Sequence, residues 1–197
     1  LNRKTKFTMT TELAQQQLQA AELATVSSAA FLKRYSVAAA QRELRKTQTA
    51  IACATSCTPV LATMRKMYGE RWTAAYIALW IVNVQDFFNV SGKMNDAQVE
   101  ETAYMILDDF WALNVADIHL VFSRAKKGYY GQLYGRIGGS LIYDWFRSYF
   151  EERCDACENR TIRQSENARS DNPVTDDRAT EFIQKLIQNK RIDHEAR

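Results

Sequence analysis

Proline and glycine are scarce in this sequence, which contains two prolines and seven glycines in 197 residues. Five of the glycines lie between Gly128 and Gly139, so the rest of the chain has few of the residues that turn a backbone sharply. This scarcity argues against a fold with frequent turns. The sequence therefore predicts long helices and an all-α fold: a single compact multi-helix domain with a central apolar helix and less ordered termini.

Cysteine and long apolar runs are also in short supply. There are four cysteines, Cys53, Cys57, Cys154 and Cys157. They are too few and too clustered for the disulfide framework of a small secreted domain. The most apolar stretch, residues 72–82, falls well short of the roughly 20 residues that cross a bilayer, and residues 1–11 are basic and polar without a following apolar leader segment. We expect reduced thiols, no membrane partner and a cytoplasmic location.

An excess of one charge sign is absent as well, because the formal net charge is only +3 at pH 7. This value excludes a polyelectrolyte binder of the histone type, so an anion-binding surface has to come from local clustering. Residues 1–55 carry eight Lys or Arg against three Asp or Glu, whereas residues 56–114 carry four against seven. The first segment is therefore basic and the second acidic.

Composition and periodicity divide the chain into four parts. Residues 1–28 predict a marginal helix or a disordered segment, because their helix-forming residues carry only a weak apolar stripe. Residues 29–157 predict the helical core domain, since apolar residues recur there at helical spacing. Residues 158–174 are almost free of apolar side chains and predict a linker. Residues 175–197 predict an amphipathic C-terminal helix.

Local signals place the helices of the core. They indicate helices over residues 29–54, 59–68, 70–90, 96–111, 115–127 and 140–157. Thr58 before Pro59 is a favourable start for the second helix, and Asn95 and Asn114 are favourable caps for the fourth and fifth. The third helix is apolar nearly all round, so we expect it at the centre of the domain. On the fifth helix, Asp117 is expected to point outwards.

One segment without acidic residues carries the strongest candidate site. No Asp or Glu lies between Ile118 and Tyr143, whereas cations, tyrosines and glycines alternate there. Cations can contact phosphates, tyrosine rings can stack on bases, and glycines let the backbone approach closely. The predicted nucleic-acid-binding residues are Arg124, Lys126, Lys127, Tyr129, Tyr130, Tyr134 and Arg136. We therefore expect a non-enzymatic accessory protein that binds nucleic acid.

Two alternatives stay open for this segment. In the first, the glycines only turn the chain between two helices, the tyrosines pack on the core and the cations are solvated. In the second, the segment docks on another protein, because aromatic residues and arginine are frequent interface anchors. The chain would then be a protein–protein adaptor of a replication complex, associated with a helicase or replisome.

The same region resembles a known family over roughly residues 58–153. The motifs that carry the resemblance are Ala116-Asp117-Ile118-His119-Leu120-Val121-Phe122, Ala125-Lys126-Lys127-Gly128-Tyr129-Tyr130-Gly131, Leu133-Tyr134-Gly135-Arg136-Ile137, and the run from Trp145 through Tyr149 to Arg153. They are similar to uncharacterised proteins encoded in phage-like and conjugative elements of Bacteroidetes. The resemblance implies a mobile-element protein connected with replication or DNA handling. Members often carry an acidic residue shortly after the position of Ile137, where this chain departs with Gly138-Gly139.

Metal-binding and catalytic patterns are weak. The two cysteine pairs would fit a four-thiolate zinc site by number, but both fall on or beside helices, so inert thiols are the better interpretation. Glu101 and Asp108 would suit a divalent ion or simply form a solvated acidic face. Neither His119 nor His194 has a neighbouring serine, cysteine or acid in a catalytic pattern, and no P-loop, dinucleotide fingerprint or HExxH is present. We expect no cofactor, no metal and no catalysis.

Overall fold

The fold is all-α, as predicted. The computed structural model describes residues 27–88, 90–133 and 135–170, together with positions 181, 184 and 185. Eight named α-helices lie in this part of the chain: α1 (Ser28–Tyr35), α2 (Val37–Glu43), α3 (Ala50–Ala54), α4 (Leu61–Tyr68), α5 (Glu70–Phe88), α6 (Asp96–Asp109), α7 (Val115–Lys126) and α8 (Gly139–Ser170). A 3-10 helix, Leu44–Lys46, follows α2. Over the same residues, β-type pairing is limited to two isolated bridges.

The predicted helix over residues 29–54 is broken into α1, α2, the 3-10 helix and α3. Two hydroxyl residues mark the breaks. Ser36 is extended (φ −56°, ψ 155°) and its side chain accepts a hydrogen bond from the backbone N–H of Ala39. Thr49 accepts one from Ala52 in the same way. Each side chain satisfies an amide that a helix start leaves free, so short helices replace one long helix here.

The start of α4 also differs from the prediction. The helix begins at Leu61 after Val60, which makes no side-chain capping bond. The Thr58 hydroxyl instead accepts a hydrogen bond from the backbone N–H of Ala116, at 3.2 Å. The Thr58 hydroxyl, which the local pattern predicts as the cap of α4, therefore binds the start of α7. The end of α4 is as predicted, at Gly69 with φ +86°, a conformation that glycine adopts readily.

The caps of α6 and α7 are as predicted. Asn95 and Asn114 each accept a hydrogen bond from the backbone N–H of the third residue of the helix that follows. The side chains of those third residues, Gln98 and Asp117, accept one from the backbone N–H of the cap in return. Both arrangements are capping boxes. The predicted outward direction of Asp117 is wrong, because its side chain is fully buried. It faces inwards because partners on α8 bind its carboxylate.

Helix α5 is the central helix of the described residues. It packs on α2, α4, α6 and α7, and Tyr76, Ile77 and Trp80 are buried in the core. One side of α5 stays accessible, since Leu79 and Val82 are 50% and 43% exposed. None of the described helices combines the length and apolarity needed to cross a bilayer.

Helix α8 corrects the predicted linker. The helix continues through Glu158 to Ser170 instead of ending near Cys157, although the side chains of residues 158–167 are all exposed. Residues of reasonable helix propensity, without glycine or proline, continue a helix that is already nucleated on a packed core. Tertiary contacts divide the chain into residues 1–157 and 158–197.

Other predicted parts are only partly described. The expected marginal helix over residues 1–28 lies almost wholly outside the described residues, as do residues 171–174 of the expected linker. Within the expected C-terminal helix, positions 181, 184 and 185 are helical.

Candidate nucleic-acid interface

The predicted nucleic-acid-binding residues have different partners in the fold. Tyr134 lies outside the described residues. The other six fall into three groups by their contacts: Arg124 with Tyr129 and Tyr130, Lys126 with Lys127, and Arg136 by itself. The three groups have different environments.

Arg124 is already paired inside the fold. Its guanidinium donates two hydrogen bonds to the carboxylate of Glu152 on α8, at 2.5 and 2.9 Å, and 13% of the Arg124 side chain is exposed. It also lies 4.7 Å from the centre of the Tyr129 ring and 5.6 Å from that of Tyr149. The hydrogen bonds and charge of Glu152 raise the pKa of Arg124. Glu152 neutralises its charge, so Arg124 would have to leave this ion pair to contact a phosphate.

The two described tyrosines of the segment differ in accessibility. The Tyr130 ring stacks on Trp145 with centroids 5.9 Å apart and planes 16° apart, and burial raises the pKa of Tyr130 to about 12. Tyr129 is 62% exposed and packs edge-on against Tyr130 at 5.2 Å. Tyr130 is therefore part of the packing, as the first alternative expects, whereas Tyr129 keeps an accessible ring with Arg124 beside it.

Arg136 is held by its backbone and leaves its side chain exposed. Gly92 donates its N–H to the Gly135 carbonyl at 3.3 Å and accepts from the Ile137 N–H at 3.0 Å. A Cβ atom at Gly92 would lie 2.6 Å from the Arg136 Cβ, a distance that excludes any side chain there without movement. The bridge fixes the glycine-rich segment against the turn after α5, and Arg136 projects from it as an accessible cation.

Lys126 and Lys127 reach different elements of the domain. The Lys126 ammonium donates to the Asn83 side-chain oxygen at 2.6 Å and lies 5.0 Å from the centre of the Phe87 ring. The exposed Lys127 ammonium donates to the Gln48 side-chain oxygen at 3.2 Å. The two lysines thus connect the end of α7 with α5 and with the segment after the 3-10 helix.

Both lysines line a cavity of about 420 Å³ between these elements. The lining residues are Gln41, Arg45, Gln48, Trp80, Phe87, His119, Phe122, Ser123, Lys126 and Lys127. Three of them are cations and none is acidic. We call this site the cationic cavity. It brings Arg45, from the basic N-terminal part of the chain, together with two of the predicted cations.

The inner wall of the cationic cavity is aromatic. The Trp80 and Phe122 rings are nearly parallel, 6.1 Å apart with planes 7° apart, and His119 packs edge-on against Trp80 at 6.0 Å. The His119 Nδ1 atom is buried and forms no hydrogen bond with the described residues. Buried polar atoms without a partner are rare and cost about 1–3 kcal/mol each. The Trp80 ring is buried too, and its N–H interacts with the Tyr76 hydroxyl.

The electrostatics of the cationic cavity favour an anion. Burial, followed by the charges of Lys127 and Lys126, lowers the pKa of His119 to about 4, so His119 is neutral at pH 7. Burial also lowers the pKa of Lys126. Desolvation and neighbouring positive charge both disfavour a cationic form, and a bound anion would relieve the second of these effects.

A second cluster of ionisable groups is buried between α7 and α8. The Asp117 carboxylate accepts hydrogen bonds from the Tyr149 hydroxyl at 2.6 Å, the Arg153 Nε at 3.1 Å and the backbone N–H of Asn114 at 2.9 Å. Burial raises the pKa of Asp117, while the Arg153 charge lowers it. The carboxylate is satisfied by protein donors, so the cluster stabilises the packing of the two helices.

The thiols and acids do not assemble into a metal site in the described residues. No group of three or more His, Cys, Asp or Glu side chains there could hold a metal ion. Cys53 is buried, its thiol donates to the Ala116 carbonyl at 3.4 Å, and burial raises its pKa to about 12. Asp108 pairs with Arg65 at 3.0 Å. These contacts give both groups a structural role.

Comparison of the chain with protein-family models, with curated proteins and with solved structures finds no match in any of the three. The geometry of the site is therefore the basis for a function.

Most of the cationic cavity could not be predicted from the sequence. The cavity adds Arg45, Gln41, Gln48, Trp80 and Phe87 to the two predicted lysines. The only available signal was the positive charge of residues 1–55, which includes Arg45 but does not identify its neighbours. Gln48 and Lys127 are 79 residues apart in the chain, so only the tertiary structure brings them together.

Proposed function

We propose that this protein is a non-enzymatic accessory protein of a mobile element that binds nucleic acid at the mouth of the cationic cavity. The phosphates would contact Arg45, Lys126 and Lys127. One observation supports this proposal most strongly: cations from two distant parts of a nearly neutral chain share a cavity whose lining has no acid. Local clustering of this kind is the electrostatic footprint of a polyanion site.

The exposed aromatic rings suit a single strand better than a duplex. Phe87 is 57% exposed at the edge of the cavity, beside the Lys126 ammonium. An aromatic ring next to cations is what binds a base and its phosphate without reading sequence. Tyr129 and Arg136 are accessible too, but neither lines the cationic cavity.

Salt dependence of binding tests this proposal. Affinity for a fluorescent single-stranded 12-mer, as DNA and as RNA, would be measured by anisotropy at several salt concentrations. Three phosphate contacts predict a slope of log K against log salt of roughly −2 for a single strand. The variant Arg45→Gln/Lys126→Gln/Lys127→Gln should bind at least tenfold more weakly, with a slope near zero.

A charge-matched variant provides the control. Lys66→Gln/Arg71→Gln/Arg147→Gln removes three exposed cations that do not line the cationic cavity. It should bind like the wild type. Equal loss in both variants would mean that only net charge matters, and unchanged binding in the cavity variant would remove the cavity from nucleic-acid binding.

A different observation favours the alternative function, a protein–protein adaptor of a replication complex. Leu79 and Val82 lie one turn apart on α5 and are about half exposed, so they would form the apolar centre of a docking surface for another protein. An adaptor would bind a helicase or replisome protein in a salt-insensitive way. Binding of such a protein should then be lost in Leu79→Ser/Val82→Ser and kept in the cavity variant.

A further inference from the structure

We infer that two copies of this chain associate in solution through the accessible side of α5. The contact would be made by five exposed residues, Arg71, Ala75, Leu79, Val82 and Asp86, which we call the outer stripe. The two α5 helices would lie antiparallel, related by a two-fold axis near Leu79. The inference goes beyond the proposed function and does not depend on it.

The outer stripe is one continuous side of the helix. Its members follow one another at intervals of four, four, three and four residues, and residues at such intervals lie on the same side of an α-helix. Tyr76, Ile77 and Trp80 point the other way and are buried in the core. The stripe therefore faces away from the core and extends for about 22 Å along α5.

The centre of the outer stripe is apolar. Ala75 is exposed, and Leu79 and Val82 are 50% and 43% exposed. Contact with a second apolar surface would remove these side chains from water, which favours association. The short side chain of Ala75 also lets a second helix approach closely, because the distance between packed helices depends on the side chains at the contact. The centre thus supplies the attraction between two surfaces.

The charges at the two ends identify the partner as a second copy. Arg71 lies four residues before Ala75, and Asp86 lies four residues after Val82, so opposite charges flank the apolar centre symmetrically. In an antiparallel pair, Arg71 of each copy would meet Asp86 of the other. Ala75 would likewise meet Val82, and Leu79 would lie next to the axis. Every contact then occurs twice, as a two-fold interface requires.

The order of the charges also selects the direction of the pair. In a parallel pair, Arg71 would face Arg71 and Asp86 would face Asp86, and like charges across an interface are unfavourable. Lys93 donates to the Oδ1 atom of Asp86 at 2.9 Å, in an exposed ion pair. A carboxylate has a second oxygen that can accept from Arg71 of the second copy, so the intramolecular pair is compatible with the antiparallel contact.

Analytical ultracentrifugation of the full chain provides the first test. A contact along one helix is smaller than the interface of an obligate dimer, so the chain should pass from monomer to dimer between about 1 µM and about 1 mM. Leu79→Ser/Val82→Ser should weaken dimerisation by at least about a hundredfold, because four apolar side chains per dimer lose their burial. Met105→Ser is the matched control, since Met105 is also 43% exposed but lies on α6. It should dimerise like the wild type.

Reversed charges test the antiparallel arrangement. Arg71→Asp and Asp86→Arg each place like charges opposite one another at both ends of the contact, so each variant alone should dimerise at least about tenfold more weakly at low salt. A mixture of the two variants should form a heterodimer, because every reversed residue then faces an opposite charge. Native mass spectrometry distinguishes this heterodimer by its mass. The double variant Arg71→Asp/Asp86→Arg should recover the dimerisation of the wild type.

The possible results separate this inference from both functions above. A chain that stays monomeric at every concentration overturns the inference, and so does a dimer that persists in Leu79→Ser/Val82→Ser. A dimer that needs the apolar centre but gives no heterodimer from the two charge variants overturns the antiparallel arrangement. Arg45→Gln/Lys126→Gln/Lys127→Gln should dimerise like the wild type, so that failure of strand binding and failure of dimerisation are independent results.

Discussion

Arg124 and Glu152 form a two-pronged ion pair that connects α7 to α8, with both guanidinium nitrogens bonded to the two carboxylate oxygens. The pair removes one cation from the segment that the sequence indicates for nucleic-acid binding. The stacking of Tyr130 on Trp145 likewise makes its ring unavailable for a base. Lys126 and Lys127, from the same segment, line the cationic cavity together with Arg45.

Removing Arg124 should affect stability and not nucleic-acid binding. Arg124→Gln should lower the free energy of unfolding by about 2 kcal/mol, because a charged group loses two hydrogen bonds in a partly buried site. Urea denaturation measures this loss. Arg147→Gln is the matched control, since Arg147 is 60% exposed and pairs with Asp144 on the surface. Its cost should stay below about 0.5 kcal/mol. A tenfold loss of strand affinity in Arg124→Gln would contradict the assignment.

The hydroxyl of Tyr149 should contribute more to the free energy of unfolding than a surface hydroxyl that also binds a carboxylate. Tyr149→Phe leaves the buried Asp117 carboxylate without one of its donors and should cost about 2 kcal/mol. Tyr143→Phe removes a 2.8 Å bond to the exposed Asp109 and should cost less than about 0.5 kcal/mol. Thermal and chemical denaturation of both variants provides the comparison. Equal costs would show that Asp117 finds solvent or another donor.

The protein should lose stability in mild acid because of His119. Its folded pKa of about 4 lies below the ordinary value near 6.5, so between these values the unfolded state binds more protons and stability falls as pH falls. The contribution is fully present above pH 6.5 and decreases by about 2 kcal/mol on going to pH 5. Urea denaturation at pH 7 and pH 5 should show a smaller decrease for His119→Gln than for the wild type.

A direct titration checks the cause of this shift. The chain has two histidines, so the ring proton signals of His119 can be assigned from the spectrum of His119→Gln. Lys126→Gln/Lys127→Gln should raise the pKa of His119, because it removes two positive charges while burial remains. An unshifted titration in that variant would mean that burial acts alone.

Gly139 should tolerate no side chain unless Thr102 is shortened. A Cβ atom at Gly139 would lie 2.4 Å from the Thr102 hydroxyl oxygen, and that hydroxyl is held by a 2.7 Å bond to the Gln98 carbonyl. Gly139→Ala should therefore cost about 1–3 kcal/mol despite the higher helix propensity of alanine.

Two further variants test this explanation. Thr102→Ala should recover much of the loss in the double variant, since the remaining Thr102 Cβ lies 3.5 Å away. Gly138→Ala is the control, because its Cβ would meet nothing within 4 Å, and it should be close to neutral. Additive costs in the Thr102/Gly139 double-mutant cycle would contradict the proposed clash.

The sequence predicts those features that depend on neighbouring residues. Asn95 and Asn114 cap their helices as expected, because a capping box needs only residues three positions apart. Gly69 ends α4 because its backbone angle favours glycine. Thr58 shows the limit of this reasoning: it fits a local cap equally well, but its hydroxyl is taken by Ala116, a partner that no local pattern identifies.

The site could be predicted only in part for the same reason. The charge of Asp117 predicts that its side chain points outwards. Tyr149 and Arg153 on α8 instead donate hydrogen bonds to the carboxylate and make its burial favourable. Lys126 and Lys127 could be identified from composition, but whether they face a cavity, and with which partners, depends on how α2, α5 and α7 pack. The polar composition after Cys157 predicts no helix, because apolar burial is what usually stabilises one, whereas α8 continues there from turns that are already packed.

Helix α8 contains a stretch that is anchored to the core and a stretch whose side chains are exposed. Its first turns are anchored through Tyr149 and Arg153 to one carboxylate at the start of α7, whereas residues 158–167 have no buried side chain. Amide hydrogens of the anchored stretch should therefore exchange with deuterium only when α7 and α8 separate, while those after Glu158 exchange by fraying. Mass spectrometry should show much longer exchange half-lives for the amides before Glu158 than for those after it.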